Sequence, residues 1–216
     1  MRKLMLKMSI TADGYVCGPN GEMDWLFISL DASVKKWLAD TLWQAGVHIM
    51  GSRTYYDMKA YWPNSNDILA APMNEIPKIV FTRLGIDEVN RSRLTTQAIT
   101  DSPKSDLFQP LNSPIPPSSN WHHTIVADGD LEEEIQLLKK QAGKNILAHG
   151  GASFVQNLMK YNLIDEYRLV VHPVFIGRGI SIFSTLPHRL DLKLMDSTVF
   201  KSGVVAKVYR PVDNSK

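Results

Sequence analysis

Apolar and polar residues alternate at the start of the chain. Every second position from Leu4 to Ile10 is apolar, and the positions between them include Lys7 and Ser9. A period of two residues predicts a β-strand. Residues 11–25 follow with three glycines, a proline and an asparagine, a composition that predicts turns and a mobile loop.

A helical spacing replaces this alternation from Asp31 onward. The apolar positions then recur at intervals of one, three and four residues: Val34, Trp37, Leu38, Leu42 and Ala45. This pattern predicts an amphipathic helix. Asp31 or Ser33 is expected to cap its start, and Gly46 is expected to end it.

Four short apolar segments predict the strands that come next in the chain. They are Val47–Met50, Lys78–Thr82, His123–Ala127 and Asn145–Ala148. A predicted helix follows the first, third and fourth of them. The helix after the third begins with Asp130 and Glu133, which have the spacing of a capping box. The fourth is followed by a helix whose apolar side contains Phe154, Val155, Leu158 and Met159.

The last part of the chain predicts strands without helices between them. These strands are Asp165–Val174, Leu192–Phe200 and Val204–Arg210, and the last two form a hairpin around residues 201–203. Strands that alternate with helices predict an α/β fold with a mostly parallel sheet. We therefore expect a mixed central sheet, flanked by helices, with antiparallel C-terminal strands. Residues 1–212 would form one domain that carries a polar insertion at about 84–120.

Composition and charge exclude several other classes of protein. The 216 residues carry a formal net charge of +2 without a basic block, so we expect neither nucleic acid nor a membrane as partner. The N-terminal segment is interrupted by charges, unlike a signal peptide, and no apolar stretch is long enough to cross a bilayer. One cysteine, Cys17, and scattered histidines predict no metal site. We therefore expect a soluble, cytoplasmic globular protein.

Glycine stands between a predicted strand and a predicted helix at two places. The first turn contains Gly51, Ser52, Arg53 and Thr54, and the second contains Gly150, Gly151, Ala152 and Ser153. Glycine lets the backbone approach a phosphate, and a helix N-terminus offers unpaired N–H groups to it. Each turn alone is a weak signal, since a glycine between a strand and a helix more often reflects ordinary turn geometry and neither turn has a nucleotide-binding fingerprint. Together they predict a ligand that contains a pyrophosphate.

A further basic residue follows the predicted strand at Lys78–Thr82. Arg83 and Arg53 could together hold a ribose 2′-phosphate, which would favour NADPH over NADH. The alternative for Arg83 is a solvated charge at the end of a strand.

The motifs around these turns resemble the dihydrofolate reductase superfamily. The resemblance is closer to the branch that includes the reductase domain of riboflavin biosynthesis. The similar segments occur in the family's order and cover nearly all of the chain outside the insertion: SITADG, GPNGEMDW, IMGSRTYYDM, IVFTR, ILAHGGASFVQNL and LIDEYRLVVHPVFIGRG. The resemblance implies the fold of that superfamily, NADPH as cofactor and a homodimer.

The resemblance also implies roles for individual residues. Residues 51–54 would contact the pyrophosphate or the adenosine phosphate of NADPH, and Thr82 with Arg83 would reach the adenosine ribose. The second turn, extended by Phe154, would lie beneath the pyrophosphate. Ala12, Asp13 and Gly14 match a mobile loop that covers the nicotinamide, and residues 175–179 match a loop that borders the substrate.

The residue that supplies a proton remains open between two acids. Dihydrofolate reductase has an acidic residue shortly after the Trp of its loop, and the nearest acid here after Trp25 is Asp31, one position out of register. Asp31 is also the expected helix cap. Asp13 matches the riboflavin-type pattern, in which it lies near the substrate. Asp13, Asp31 or a water held by either could supply the proton.

Three functions remain possible at this level. The first is hydride transfer from NADPH to a small heterocycle of pterin or pyrimidine type. The second is the riboflavin-pathway reduction of 5-amino-6-ribosylaminopyrimidine phosphate. The third is a protein that binds a nucleotide and catalyses nothing.

Overall fold

A computed structural model describes residues 1–82 and 119–212. Its strands form one eight-stranded sheet. They are β1 (Leu4–Thr11), β2 (Ala45–Gly51), β3 (Lys78–Phe81), β4 (Ile125–Ala127), β5 (Asn145–Ala148), β6 (Glu166–His172), β7 (Leu192–Val199) and β8 (Val205–Pro211). The described helices are α1 (Trp25–Ile28), α2 (Ala32–Leu42), α3 (Ser52–Tyr61), α4 (Ala70–Glu75), α5 (Leu131–Lys140) and α6 (Ala152–Lys160).

The sheet has the strand order β4-β3-β2-β5-β1-β6-β8-β7. The first six strands in this order run parallel to their neighbours, whereas β8 pairs antiparallel with both β6 and β7. The expected fold class is therefore confirmed. Because parallel strands end at the same edge of a sheet, the loops that follow β1, β2, β3, β5 and β6 are brought to one edge.

Strand β1 lies in the middle of the sheet and is buried on both faces. Leu4 and Leu6 belong to one apolar cluster with Ile146 and Val155, and Met5 belongs to a second cluster with Val34 and Leu147. Helices cover both sides, as parallel sheets require. The alternation of Lys7 and Ser9 with apolar residues therefore does not mark a solvent-facing side of this strand.

The sequence misplaced the end of α2. The helix ends at Leu42, and Ala45 and Gly46, which were expected to complete it, belong to β2. Ala45 pairs with Asn145, and the register shifts between Ala45 and Val47. The tertiary pairing of β2 with β5 thus overrides a local helical pattern. The short helices α1 and α4 were not predicted, because each has too few turns to show a period.

Helix caps follow the expectation closely. Of the two candidates at the start of α2, Asp31 is the cap, since its carboxylate accepts hydrogen bonds from the backbone N–H groups of Ser33 and Val34. Asp130 caps α5 in the same way through Glu132 and Glu133. These bonds satisfy N–H groups that the first turn of a helix leaves unpaired.

Two further expectations concern residues outside the described part of the chain. The insertion at about 84–120 lies almost entirely there, and so does Arg83.

Among the described helices, none is long and apolar enough to cross a membrane.

A buried ionic network fastens β6 to its neighbours. Glu166 is 4% exposed, and its carboxylate binds Arg168 at 2.7 Å and Arg210 at 3.0 Å. Arg168 also donates to Thr41 and Gln44 at the end of α2. Burial by itself would raise the pKa of Glu166, but the hydrogen bonds and charges of Arg168, and then Arg210, outweigh it and lower that pKa.

Replacement of Glu166 by Gln should therefore destabilise the protein. The change leaves two guanidinium groups without their carboxylate, and we expect a loss of roughly 2 kcal/mol in the free energy of unfolding at neutral pH. Because the pKa of Glu166 is lowered on folding, its contribution is present above the ordinary pKa of Glu and is lost as the pH falls through the folded value. Urea denaturation of both proteins across that range measures the difference.

A matched control is Asp40→Asn, which removes an exposed ion pair with Lys36. We expect a change of less than about 0.5 kcal/mol there. Equal losses in the two variants, or a loss in Glu166→Gln that persists at acidic pH, would contradict this account.

Candidate active site

Both glycine turns lie at the edge of the sheet where the parallel strands end. Strand β2 ends at Gly51, where α3 begins, and β5 ends just before Gly150 and Gly151, which lead into α6. Because β2 and β5 are neighbours in the sheet, the two turns lie side by side. The structure thus brings together residues that are about one hundred positions apart in the sequence.

Two hydrogen bonds join the turns directly. The N–H of Gly51 donates to the carbonyl oxygen of Gly150 at 3.1 Å. The N–H of Gly151 donates to the hydroxyl oxygen of Thr54 at 2.6 Å. Thr54, expected to contact a ligand, therefore holds the second turn against the start of α3.

The packing between the turns requires glycine at two positions. A Cβ atom on Gly51 would lie 3.1 Å from Cβ of Phe154, which is closer than ordinary van der Waals contact. Gly151 has a φ of 41°, a backbone conformation that side chains with a Cβ rarely adopt. These positions fix the close approach of α3 and α6.

The starts of α3 and α6 offer unpaired N–H groups at this junction. Gly51 and Gly151 stand at the two N-cap positions, and within residues 1–82 and 119–212 neither helix start receives a hydrogen bond from a capping side chain. Arg53 and Ser153 are exposed beside them, and Ser52 and Ala152 are partly exposed. Two adjacent helix N-termini with an arginine form a site that favours a phosphate or pyrophosphate. The residues present therefore fit a dinucleotide.

The neighbouring strand extends this site. Thr82 follows β3, and its N–H donates to the carbonyl oxygen of Ala127. Phe81 stacks on Phe154 with ring centroids 5.1 Å apart, so the end of β3 packs against the second turn.

Two loops at the ends of β1 and β6 form the other half of the site. We call them the first loop (residues 12–24) and the second loop (residues 173–181). The backbone of Ala12 donates to Val174, and Val16 and Cys17 pair with Ile180. A Cβ atom on Gly179 would clash with the carbonyl oxygen of Cys17, so the loops approach closely there.

Asp13 joins the two loops. Its Oδ2 accepts hydrogen bonds from the backbone N–H groups of Ile176 at 3.1 Å and Gly177 at 2.8 Å. Hydrogen bonding to Thr11, together with these backbone groups, lowers the pKa of Asp13. The carboxylate is therefore ionised at neutral pH and positions the second loop.

A cleft of about 140 Å³ opens between the two loops. Its lining includes Gly18, Glu22 and Trp25 from the first loop and helix α1, and Ile176 and Arg178 from the second loop. Beneath it, His172 packs edge-on against Trp25 with ring centroids 5.2 Å apart, and its Nδ1 is 2.8 Å from the hydroxyl of Ser29. His172 is completely buried. Burial lowers its pKa to about 4, so the ring is neutral.

Asp31 has a different environment from Asp13. Its carboxylate caps α2, and the hydrogen bonds from the Ser33 side chain and the Val34 backbone lower its pKa to about 2. Sequence analysis gave Asp13 and Asp31 as the candidate proton sources. Hydrogen bonds hold both side chains in the carboxylate form.

Sequence reasoning missed another acid near the first turn. Asp57 lies one turn after Arg53 in α3, and burial raises its pKa to about 6 although the charge of Arg53 opposes this shift. The signal available in the sequence was the position of Asp57 four residues after Arg53, a spacing that makes two side chains neighbours on a helix. The burial of Asp57 depends on tertiary packing, which the pattern of α3 does not reveal.

Comparison with known proteins was consistent across sequence and structure. A family model described as the RibD C-terminal domain matches residues 2–206. YyaP, an uncharacterised protein of Bacillus subtilis (strain 168), is 28% identical over 208 residues, which cover 96% of this chain and 94% of that protein.

Two solved structures share the fold at low sequence identity. A protein from Shewanella sp. PV-4, provisionally assigned to riboflavin biosynthesis, superposes with a TM-score of 0.67 at 19% identity and covers 98% of this chain and 99% of its own. The diaminohydroxyphosphoribosylaminopyrimidine deaminase/5-amino-6-(5-phosphoribosylamino)uracil reductase of Thermotoga maritima superposes with a TM-score of 0.64 at 14% identity. The match covers 98% of this chain and 57% of that longer protein.

The bond between Thr54 and Gly151 can be tested by substitution. Thr54→Val keeps the shape of the side chain but removes the acceptor for the Gly151 N–H. We expect it to lower the free energy of unfolding by about 1 kcal/mol. Thr54→Ser retains the hydroxyl and is the matched control. Hydrogen exchange at the Gly151 amide should accelerate in the valine variant and stay close to wild type in the serine variant. Unchanged exchange in both would show that this bond does not hold the turn.

Proposed function

The chain belongs to the RibD C-terminal domain family, and on that premise we propose that it is an NADPH-dependent reductase. It would transfer a hydride to a small heterocyclic substrate of pterin or pyrimidine type. The observation that carries this proposal is the junction of the two glycine turns, where the starts of α3 and α6 present unpaired N–H groups side by side. We also propose that the enzyme works in the cytoplasm.

The residues of this junction have distinct tasks in the proposal. The backbone N–H groups of Ser52, Ala152 and Ser153 would hold the pyrophosphate, and Arg53 would bind the 2′-phosphate together with Arg83. Thr82 would lie beside the adenosine ribose. Bound there, NADPH would supply the hydride from its nicotinamide ring.

The first and second loops would enclose the reacting groups. Ala12 and Asp13 follow β1 at the centre of the sheet, next to the strand that carries the second turn. Asp13 holds Ile176 and Gly177 in place, so this residue would orient the loop that borders the substrate. Exclusion of water and fixed orientation are the contributions that a protein makes to hydride transfer.

The proton would reach the substrate through water. Hydrogen bonds lower the pKa values of both Asp13 and Asp31, so each carboxylate holds no proton to give at neutral pH. A water that donates to one of them could transfer its own proton instead. We propose Asp13 for this role first, because it lies between the two loops, and keep Asp31 as the second choice.

Two alternative functions are kept with this proposal. The riboflavin-pathway reduction of 5-amino-6-ribosylaminopyrimidine phosphate is favoured by the exposed Arg178 at the cleft, which could bind a substrate phosphate. The other alternative, a protein that binds a nucleotide without catalysis, would require only the junction of the two glycine turns. Mixing the protein with NADPH and each of a dihydropterin and that pyrimidine, while recording NADPH absorbance, separates the three.

Titration of protein fluorescence with NADPH and NADH tests the proposed cofactor. We expect saturable binding with a preference for NADPH. Arg53→Gln should weaken the binding of NADPH about tenfold and leave the affinity for NADH nearly unchanged, because only NADPH carries the 2′-phosphate. Arg189→Gln is the matched control, since Arg189 is an exposed arginine paired with Asp191 away from the turns. Equal affinities of the wild type for both nucleotides would contradict the role of Arg53, and binding of neither would refute the reductase proposal.

A homodimer is also proposed, with β7 as its surface. Strand β7 forms the edge of the sheet and exposes apolar side chains, among them Leu194 at 51% and Met195 at 44%. An exposed apolar edge strand is a surface that proteins normally cover. Light scattering should give about twice the chain mass of 24.3 kDa.

The double substitution Leu194→Lys with Met195→Lys should shift that mass to one chain, because it places charges in the buried interface. The matched control is Leu137→Lys in α5, which changes an equally exposed leucine and should leave the dimer intact. A wild-type mass of one chain would refute the dimer.

A further inference from the structure

Two buried histidines lie just before the two glycine turns. His149 immediately precedes Gly150, and His48 lies three residues before Gly51. Their rings meet edge-on, with centroids 4.5 Å apart. The exposed fraction is 0% for His48 and 6% for His149, so almost no water reaches either ring. We call these two residues the histidine pair.

The backbone of His149 belongs to the same hydrogen-bond ladder as the turns. Its N–H donates to the carbonyl oxygen of Ile49 at 3.0 Å, and the N–H of Gly51 donates to the carbonyl oxygen of Gly150 at 3.1 Å. Both bonds lie where β2 and β5 end, and the ends of elements open at a lower free energy than their centres. A displacement of His149 from the sheet would therefore also displace Gly150.

The charges that act on the histidine pair within the described part of the chain are positive. Lys78 of β3 is paired with His48, and Lys7 acts from β1, on the far side of β5. The ammonium group of Lys78 is held in place, because it donates to the Ile76 carbonyl oxygen and lies over the Trp121 ring. Burial lowers the pKa of Lys78 to about 7, so its charge is present in acid.

Protonation of the pair is unfavourable while the turns are closed. Burial, and then the charge of Lys78, lower the pKa of His48 to about 3, although the backbone of Leu42 opposes this shift. Burial, and then the adjoining ring of His48, hold the pKa of His149 well below its ordinary value. The Nε2 atom of His149 has no hydrogen-bond partner among the described residues, so nothing there would receive an added proton's charge.

An opened junction would expose both rings to water, where the pKa of a histidine is about 6.5. The rings are thus neutral in the closed state and take up protons once it opens. Because their pKa values are lowered in the closed state, their contribution to it is complete above a pH of about 6.5 and is lost as the pH falls below that value. Each exposed ring favours opening by up to about tenfold per pH unit.

We propose that the histidine pair is an acid-sensitive switch that opens the junction of the two glycine turns and so releases the cofactor. This inference rests on the proposed function and adds a form of regulation to the same site. At neutral pH the two rings pack together beside the junction and keep it closed. In acid, uptake of protons separates the rings and draws Gly150 away from Gly51.

Amide hydrogen exchange of the ligand-free protein, followed by NMR between pH 7.5 and pH 5, tests the switch. The amides of Gly51 and Gly151 report on the junction, and the amides of α5 report on opening of the whole fold. The variant carries both His48→Phe and His149→Phe, since phenylalanine fills a similar space and takes up no proton. His188→Phe changes an exposed histidine and is the matched control.

We expect protection of the junction amides in the wild type and in His188→Phe to fall about a hundredfold from pH 6.5 to pH 5, because two rings titrate on opening. Protection in α5 should fall much less. In the double variant, the junction should lose no more protection than α5 does. An equal loss at the junction in the wild type and the double variant would overturn the switch.

The imidazole ¹⁵N signals of the wild type provide a second measurement that needs no variant. We expect both rings of the histidine pair to be neutral at pH 5 in molecules whose junction amides are still protected. A ring that titrates near pH 6.5 while Gly151 stays protected would contradict the proposal. If the double variant does not fold, these signals decide the question.

Titration with NADP⁺ at pH 7.5 and pH 5 links the switch to the cofactor. The wild type should lose about tenfold more affinity between the two pH values than the double variant, because fewer of its molecules have a closed junction in acid. Protonation of the 2′-phosphate affects both proteins alike. Equal losses would refute release by the switch. Absence of NADP⁺ binding to the wild type at pH 7.5 would instead refute the proposed function, and amide exchange would still decide whether the pair opens the junction.

Discussion

The contact between the turns after β2 and β5 is the constraint on which the site depends. Gly51 and Gly150 are joined backbone to backbone, and Thr54 reaches across to Gly151. Glycine at position 51 lets Phe154 pack closely against it, and this approach brings the starts of two helices together. Because the starts of α3 and α6 then lie side by side, an anion bound there would find more N–H donors than a single helix could offer.

Burial in the sheet that aligns these turns is unfavourable for polar side chains. Its central strand is buried on both faces by two apolar clusters, and polar side chains such as Glu166 and His172 are buried in the neighbouring strand β6. Such groups oppose folding unless they are paired. Glu166 with its two arginines is paired, and it stabilises the sheet.

Local patterns predicted the elements and the turns well. The alternation at Leu4–Ile10, the caps at Asp31 and Asp130 and the C-terminal hairpin depend on nearby residues, and all were confirmed. Long-range features were not accessible: pairing with β5 draws Ala45 and Gly46 into β2, and the proximity of the two turns follows from strand order.

The most direct test of the account is an NMR titration of the ¹⁵N-labelled protein with NADPH. If the two turns form one phosphate site, the amide signals of Ser52 and Arg53 should shift together with those of Ala152 and Ser153, along a common saturation curve. Shifts confined to one turn, or two curves with different midpoints, would contradict a joint site. No shift in either turn would contradict the cofactor assignment itself.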